Sequence, residues 1–169
     1  GLADLDVPVA GDFNGDGRAD LAVSTYNGGV AVLLGNGDGT FQPYIGYGAG
    51  SFPIGLAAGD FNGDGRADLA VADYYGGTVS VLLGNGDGTF GPGNTLGAGS
   101  QPQCVAVADL NGDGRADLAL ANLGSASVSV LLGDGNGAFG PQTNVPTGGV
   151  CSSVAIGDVN ADGRLDLVT

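Results

Sequence analysis

The sequence predicts an all-β repeat fold in which short strands and tight turns form three complete units and half of a fourth. Self-similar segments recur along the 169 residues, and the aspartate near the start of each falls at positions 12, 60, 109 and 158, in steps of 48, 49 and 49 residues. The 36 glycines disfavour long helices, and they show no three-residue period of the collagen kind. A period near 49 residues is typical of propeller blades.

Each unit is expected to contain four antiparallel strands, and the second unit illustrates them. Its first strand, Ile54–Gly59, alternates bulky and small residues, which suits an innermost strand crowded near a central axis. A second strand begins at Leu69, and Val79–Leu83 alternates again as a third. Thr89 is predicted to open the fourth strand, where Pro92 suits an outer edge.

No linker or change of composition separates the units, so the chain is predicted to be one repeat domain over residues 1–169. Blade 1 is placed at about 5–50, blade 2 at about 53–99, blade 3 at about 102–148 and the half blade at about 151–169. The chain does not begin with Met, so we expect it to be processed or part of a longer protein.

The motif D-x-N-x-D-G-x-x-D occurs four times and predicts about four calcium sites. Ca²⁺ takes six to eight oxygen ligands, which side chains at loop positions 1, 3, 5 and 9 and the backbone carbonyl at position 7 could supply. Glycine at position 6 allows the sharp turn. The predicted ligands, with arginine acting through its carbonyl, are Asp12, Asn14, Asp16, Arg18 and Asp20; Asp60, Asn62, Asp64, Arg66 and Asp68; Asp109, Asn111, Asp113, Arg115 and Asp117; and Asp158, Asn160, Asp162, Arg164 and Asp166.

The flanking sequence and the charge balance favour calcium in a β-hairpin over other interpretations. An EF-hand would need a Glu at position 12 and helices on both sides, and magnesium would demand a rigid octahedral site. The four loops hold 12 of the 18 aspartates, which repel one another without a cation between them. Four Ca²⁺ ions, at two charges each, would change the net charge from −14 to −6. The alternative is a set of metal-free Asx turns.

Composition excludes several classes of function. The chain has no His, no Lys and no Glu, so a Ser-His triad, a histidine metal site and a Schiff-base lysine are ruled out. A net charge of −14 with only four cations excludes a nonspecific grip on nucleic acid. No run of 18 apolar residues is present, so no membrane insertion is expected.

The segments L-L-G-N-G-D-G-T-F and V-A-V-A-D-L-N-G-D-G-R-A-D-L-A resemble the repeat unit of the FG-GAP, or VCBS-type, family, and the resemblance covers essentially the whole chain. Related blades form the head of integrin α subunits. The resemblance implies a β-propeller with calcium in the first hairpin of each blade. It also implies an extracellular or cell-surface protein that binds or adheres without catalysis. Propellers of this family commonly have about seven blades, more than this chain contains.

Two further groups of residues are candidates for roles outside the aspartate loops. Cys104 and Cys151 lie near the first strands of successive blades, where they could form a disulfide or remain buried thiols. The five tyrosines could form a sugar- or protein-binding face or simply decorate strands and rims. They are Tyr26, Tyr44, Tyr47, Tyr74 and Tyr75.

Three functions remain open from the sequence. The first is a calcium-stabilised, non-catalytic module for adhesion or for binding a protein or glycan. The second is a self-assembling subunit of an extracellular filament or surface layer, a homo-oligomer or polymer whose half blade is completed by a neighbouring copy or by a continuation of the chain. The third is an accessory propeller of a larger secreted enzyme. Six aspartates lie outside the loops, and they form no recognisable catalytic pair.

Overall fold

The protein is built from short antiparallel strands, as a computed structural model that describes residues 5–25 and 28–169 shows. Within these ranges all regular structure is β. Consecutive strands pair in sequence order, so that three four-stranded sheets and one two-stranded sheet follow one another along the chain. The predicted arrangement of three blades and a half blade is therefore confirmed.

The strands occupy corresponding positions in the successive blades. Every neighbouring pair is antiparallel, and the first strand of each complete blade contains one register shift against the second. The strands are β1 (Leu5–Gly11), β2 (Asp20–Thr25), β3 (Gly29–Leu33) and β4 (Ile45–Gly48) in blade 1; β5 (Pro53–Gly59), β6 (Asp68–Asp73), β7 (Thr78–Leu82) and β8 (Asn94–Gly97) in blade 2; β9 (Pro102–Ala108), β10 (Asp117–Asn122), β11 (Ser127–Leu131) and β12 (Thr143–Pro146) in blade 3; and β13 (Ala155–Gly157) and β14 (Asp166–Val168) in the half blade.

The predicted start of the fourth strand is wrong. In blade 2 the strand begins at Asn94, and Thr89 lies in the preceding turn. Phe90 forms only an isolated bridge with Gly84, and its ring packs edge-on against Phe13 of the previous blade at a centroid distance of 5.7 Å. The aromatic residue that resembled the start of a strand thus serves the contact between blades.

The hydrophobic core lies between successive sheets. One cluster joins blades 1 and 2, a second joins blades 2 and 3, and a third joins blade 3 to the half blade. The middle strands β6 and β10 are buried along their whole length because each packs against a neighbouring sheet on both faces. The blades therefore stabilise one another as repeat units do, through interfaces between neighbours.

The first strands of successive blades lie side by side, as their small residues predict. Strand β5 contacts both β1 and β9. Gly55 illustrates how close this approach is, because a Cβ added there would lie 2.7 Å from the carbonyl oxygen of Gln103 in the next blade. Only glycine allows the two backbones to come so near.

The aspartate loops of blades 1 and 2 also contact the blade that follows them. The second loop residue, Phe13 in blade 1 and Phe61 in blade 2, is 1% exposed. Its carbonyl accepts a hydrogen bond from a glycine in a turn of the next blade, Gly88 or Gly137, at 2.9 Å in both cases. The ring of Phe61 packs against Phe139 at 5.7 Å, which repeats the Phe13 contact one blade later.

Replacing Phe61 by Ala is expected to lower the free energy of unfolding by about 3–5 kcal/mol, because it empties a buried site between blades 2 and 3. Val159 occupies the same loop position in the half blade but is 69% exposed, so Val159→Ala should cost less than about 0.5 kcal/mol. Denaturant unfolding of both variants checks this. Equal losses would show that the phenylalanine contact does not couple the blades.

Candidate functional site

The aspartate loops draw together the side-chain oxygens of positions 1, 3 and 5. In blade 1 the Asp16 amide donates to Asp12 Oδ1 at 3.1 Å and to Asn14 Oδ1 at 3.0 Å. The Gly17 amide donates to Asp12 Oδ2 at 2.8 Å, and Asn14 Nδ2 donates to Asp16 Oδ2 at 3.1 Å. The three backbone donations recur in the other three loops.

Glycine at position 6 is required by the backbone of these loops, as the sequence predicts. Its φ lies between 79° and 82° in all four loops, a region that L side chains rarely adopt. Position 4 is also left-handed and is glycine in the first three loops, whereas the fourth has Ala161 at φ 61°. The fourth loop therefore keeps the same shape at a cost of about 1–2 kcal/mol for that alanine.

The aspartate at position 9 has a different environment from the other three ligand candidates. Asp20, Asp68 and Asp117 are fully buried. In blade 1, Asp20 Oδ2 accepts from the amide of Phe13 at 2.8 Å and Oδ1 accepts from the amide of Gly35 at 2.7 Å. Blades 2 and 3 repeat both bonds. In the half blade, Asp166 accepts from the Val159 amide at 3.1 Å.

The charges of one loop act on each other across this site. Burial raises the pKa of Asp68, the amides of Gly84 and Phe61 oppose that rise, and the nearby carboxylates of Asp64 and Asp60 raise the pKa further. Positions 1, 5 and 9 of the second loop thus lie near enough to repel one another. At position 1 of the last two loops, amide hydrogen bonds, first from Gly114 and Gly163, lower the pKa of Asp109 and of Asp158 and favour the charged form.

The loops fit the donor chemistry of a hard cation in part. Positions 1, 3 and 5 are brought together with their oxygens exposed, while position 9 is held inside by backbone amides. Across residues 5–25 and 28–169, no three carboxylates or thiols lie close enough together to hold a metal ion by themselves. The arginine at position 7 is exposed, and Arg18 Nη1 lies 3.9 Å from Asp16 Oδ2, a contact worth about 0–1 kcal/mol. The calcium ligand set therefore stays a prediction.

At the end of the blades opposite the aspartate loops, a buried aspartate joins two loops by hydrogen bonds. Asp73 closes β6, and its Oδ2 accepts from the Ser51 amide at 2.9 Å while its Oδ1 accepts from the Phe52 amide at 3.0 Å. Burial acts to raise the pKa of Asp73, but amide donors from Ser51, Phe52 and Gly76 outweigh it, so the pKa of Asp73 is lowered. The Tyr74 amide in turn donates to the Phe52 carbonyl at 3.0 Å.

The four tyrosines that the structure describes do not form one face. Tyr74 and Tyr75 lie on the loop after β6 and contact Phe52, a residue that the sequence did not single out. Tyr47 instead packs against Phe90 at 5.4 Å, and Tyr44 is 55% exposed on the segment before β4. Tyr26 lies outside the described residues. The separation of Phe52 from Tyr74 by 22 positions along the chain hides their contact from a sequence pattern.

Cys104 and Cys151 are brought into the same hydrophobic cluster between blade 3 and the half blade. Both are free thiols in the structure. Burial is the main cause that raises the pKa of Cys151, with a smaller contribution from Cys104, so the two sulfurs lie within electrostatic range. The two cysteines therefore lie near each other, and the disulfide between them stays a prediction.

The part of the chain that the structure describes contains no helix with the length and apolarity that a membrane crossing needs.

The family model of the FG-GAP-like repeat matches three overlapping segments, residues 12–71, 60–120 and 109–169. No curated protein sequence matches the chain.

Solved structures of similar fold include a lectin of Agrocybe aegerita that specifically recognises non-reducing terminal N-acetylglucosamine. It is 28% identical, with a TM-score of 0.69, over 98% of this chain and 46% of the lectin. BBS1N in complex with ARL6DN is 15% identical, with a TM-score of 0.62, over 99% of this chain and 55% of the other. The V. cholerae biofilm matrix protein Bap1 is 19% identical, with a TM-score of 0.57, over 98% of this chain and 28% of the other. This chain thus spans about half or less of the proteins that it resembles.

Asp73→Asn is expected to destabilise the protein at pH 7 and to lose that effect in acid. Because the folded-state pKa of Asp73 is lowered, its stabilisation is present above the unfolded value of about 3.9 and disappears as the pH falls through the folded value. Denaturant unfolding of both proteins at pH 7 and at a series of pH values below 4 measures the difference. A difference in stability that stays constant with pH would contradict this role of the carboxylate.

Proposed function

Since this chain belongs to the FG-GAP-like repeat family, we propose that it is a calcium-stabilised, non-catalytic binding module that works outside the cell or at its surface. The observation that supports this most strongly is the repeated loop. Four loops of the same sequence pattern collect the oxygens of positions 1, 3 and 5 on a backbone whose shape depends on left-handed glycines. Two of these three positions carry carboxylates, and a cation among them would offset their mutual repulsion.

Calcium would supply structural charge neutralisation. The ion would be held by side chains at positions 1, 3 and 5 and by the carbonyl at position 7. The buried carboxylate at position 9 would add its negative charge from the interior of the blade. The repulsion that Asp60 and Asp64 exert on Asp68 would then become attraction to a shared cation. Because calcium would bind the folded state and not the unfolded chain, it would stabilise each blade.

A binding function is supported by the fold and by its relatives. Propellers of this family are generally interaction modules, and the lectin of 28% identity has a carbohydrate ligand and matches 98% of this chain. We extend that class of activity, binding of a glycan or a protein without catalysis, to this chain. The same module would bind its ligand whether it acts alone or as an accessory propeller of a larger secreted enzyme.

Calcium is expected to raise the stability of the protein strongly and to bind at about four sites per chain. At free calcium 100-fold above the dissociation constant, each site contributes about 2.7 kcal/mol, or roughly 11 kcal/mol for four sites. Isothermal titration gives the stoichiometry, and thermal unfolding with calcium or with excess EDTA gives the stabilisation. A melting temperature that is the same in both buffers would contradict structural calcium.

A matched pair of substitutions in blade 2 separates the loop from general charge effects. Asp64→Asn should remove one calcium site and about 2.7 kcal/mol of calcium-dependent stability at 100-fold excess. Asp87→Asn removes the same charge from the exposed turn after β7 and should leave the stoichiometry unchanged. Equal effects of the two variants on calcium binding would show that the loop is not the site.

The half blade favours assembly as a second candidate function. Ala119 of β10 is fully buried, whereas Val168 at the corresponding position of β14 is 45% exposed, and Leu165 just before that strand is 42% exposed. In the described structure, β14 pairs only with β13. We propose that a further polypeptide strand, from a neighbouring copy or from a continuation of the chain, pairs with the free edge of β14.

Val168→Lys should weaken such an assembly because a lysine on a strand edge opposes pairing. Thr143→Lys places the same residue on β12, the outer strand of a complete blade, and serves as the control. Light scattering after size-exclusion chromatography, at high protein concentration and with calcium, measures the mass. If the protein is monomeric, self-assembly is excluded, and a continuation of the chain would have to complete the half blade.

A further inference from the structure

Three aromatic rings form a compact cluster at the end of the blades opposite the aspartate loops. Phe52 lies 4.9 Å from Tyr75 and 6.1 Å from Tyr74, and the two tyrosines lie 5.1 Å apart, measured between ring centroids. These distances are those of direct ring contact, so no ligand fits between the rings. Tyr75 is 70% exposed, whereas Phe52 and Tyr74 are half-buried. The outer surface of the cluster is therefore mainly Tyr75.

Hydrogen bonds between the two loops that carry the cluster hold it in place. The buried Asp73 carboxylate accepts the amides of Ser51 and Phe52, and Ser51 Oγ lies 3.3 Å from Asp73 Oδ1. The Tyr74 amide donates to the Phe52 carbonyl, which joins the two loops directly. A ring presented on a fixed backbone loses little conformational entropy when it binds, which favours recognition.

Blade 3 shows that the fold does not need these aromatic residues. There the Leu123 amide donates to the Gln101 carbonyl at 3.0 Å, the same bond that joins Tyr74 to Phe52. The blade thus keeps the joined loops with Gln101 and Leu123 in place of two aromatic rings, and with Gly124 in the following position. An equivalent pair of loops forms without them, so the fold does not require the exposed aromatic cluster of blade 2.

Size and charge restrict the ligand. A stable protein partner buries about 800 Å² on each side, whereas one aromatic side chain offers about 150–250 Å² and only one of the three is largely exposed. The cluster by itself therefore matches the size of a small ligand. All four arginines lie in the aspartate loops, so this end supplies no cation for an anionic ligand.

We propose that the exposed face of Tyr75, supported by Phe52 and Tyr74, binds one neutral sugar residue. The C–H groups on one face of a sugar ring carry partial positive charge and stack on the negative face of an aromatic ring. The sugar's hydroxyls remain at the edge, within reach of tyrosine hydroxyl and loop backbone groups. This inference rests on the proposed binding function and names the ligand class and the place.

The test uses the whole chain with saturating calcium and the methyl glycosides of N-acetylglucosamine, galactose, glucose and mannose as probes. Saturation-transfer NMR reports which sugar binds, and titration gives its affinity. We expect at least one of the four sugars to bind, and Tyr75→Ala to weaken it at least tenfold. Tyr44→Ala, which removes an exposed tyrosine outside the cluster, should leave the affinity unchanged.

Each contrary outcome overturns the inference separately from the proposed function. If the protein binds calcium but none of the four sugars, the sugar site is wrong while the calcium module stands. Equal losses for the Tyr75 and Tyr44 variants, at unchanged melting temperatures, would place the sugar elsewhere. Tyr75-dependent binding of tetramethylammonium without any sugar would show that the cluster recognises cations. If calcium also fails to bind, the proposed function fails on its own measurement.

Discussion

In each complete blade, the carboxylate of a fully buried aspartate accepts two backbone N–H groups. One comes from its own loop and the other from the turn after the third strand. This carboxylate joins the aspartate loop of the first hairpin to the turn that follows the third strand, and so holds the loop against its own blade. A buried charge is tolerated here because both of its oxygens are satisfied, and losing one partner would leave it uncompensated.

The loops also determine how the blades follow one another. Phe13 and Phe61 leave their own loop and are buried against Phe90 and Phe139 of the next blade, while their carbonyls bind turn glycines there. Anything that stabilises a loop, including the calcium we propose, therefore stabilises the interface as well. The two ends of the blades then differ in chemistry, with aspartates and arginines at one end and an aromatic cluster in blade 2 at the other.

The two ends of the blades also differ in whether the same residues recur from blade to blade. The aspartate loops occur in every blade, as a structural device of each unit would. The cluster of Phe52, Tyr74 and Tyr75 occurs in blade 2 and is replaced in blade 3 by residues that keep the loops joined. Repetition thus marks what supports the fold, and the departure from the repeat in blade 2 is where we propose that a ligand binds.

The sequence by itself determined the all-β class, the three and a half blades and the left-handed glycines at loop position 6, because these depend on local patterns that recur every 48 or 49 residues. Only the tertiary structure decided that Asp20 and its counterparts are buried, that the fourth strand of blade 2 starts at Asn94, and that Phe52 joins the tyrosines. Each of these depends on contacts between separate loops or neighbouring blades. Such contacts depend on how the sheets pack, which a one-dimensional pattern does not record.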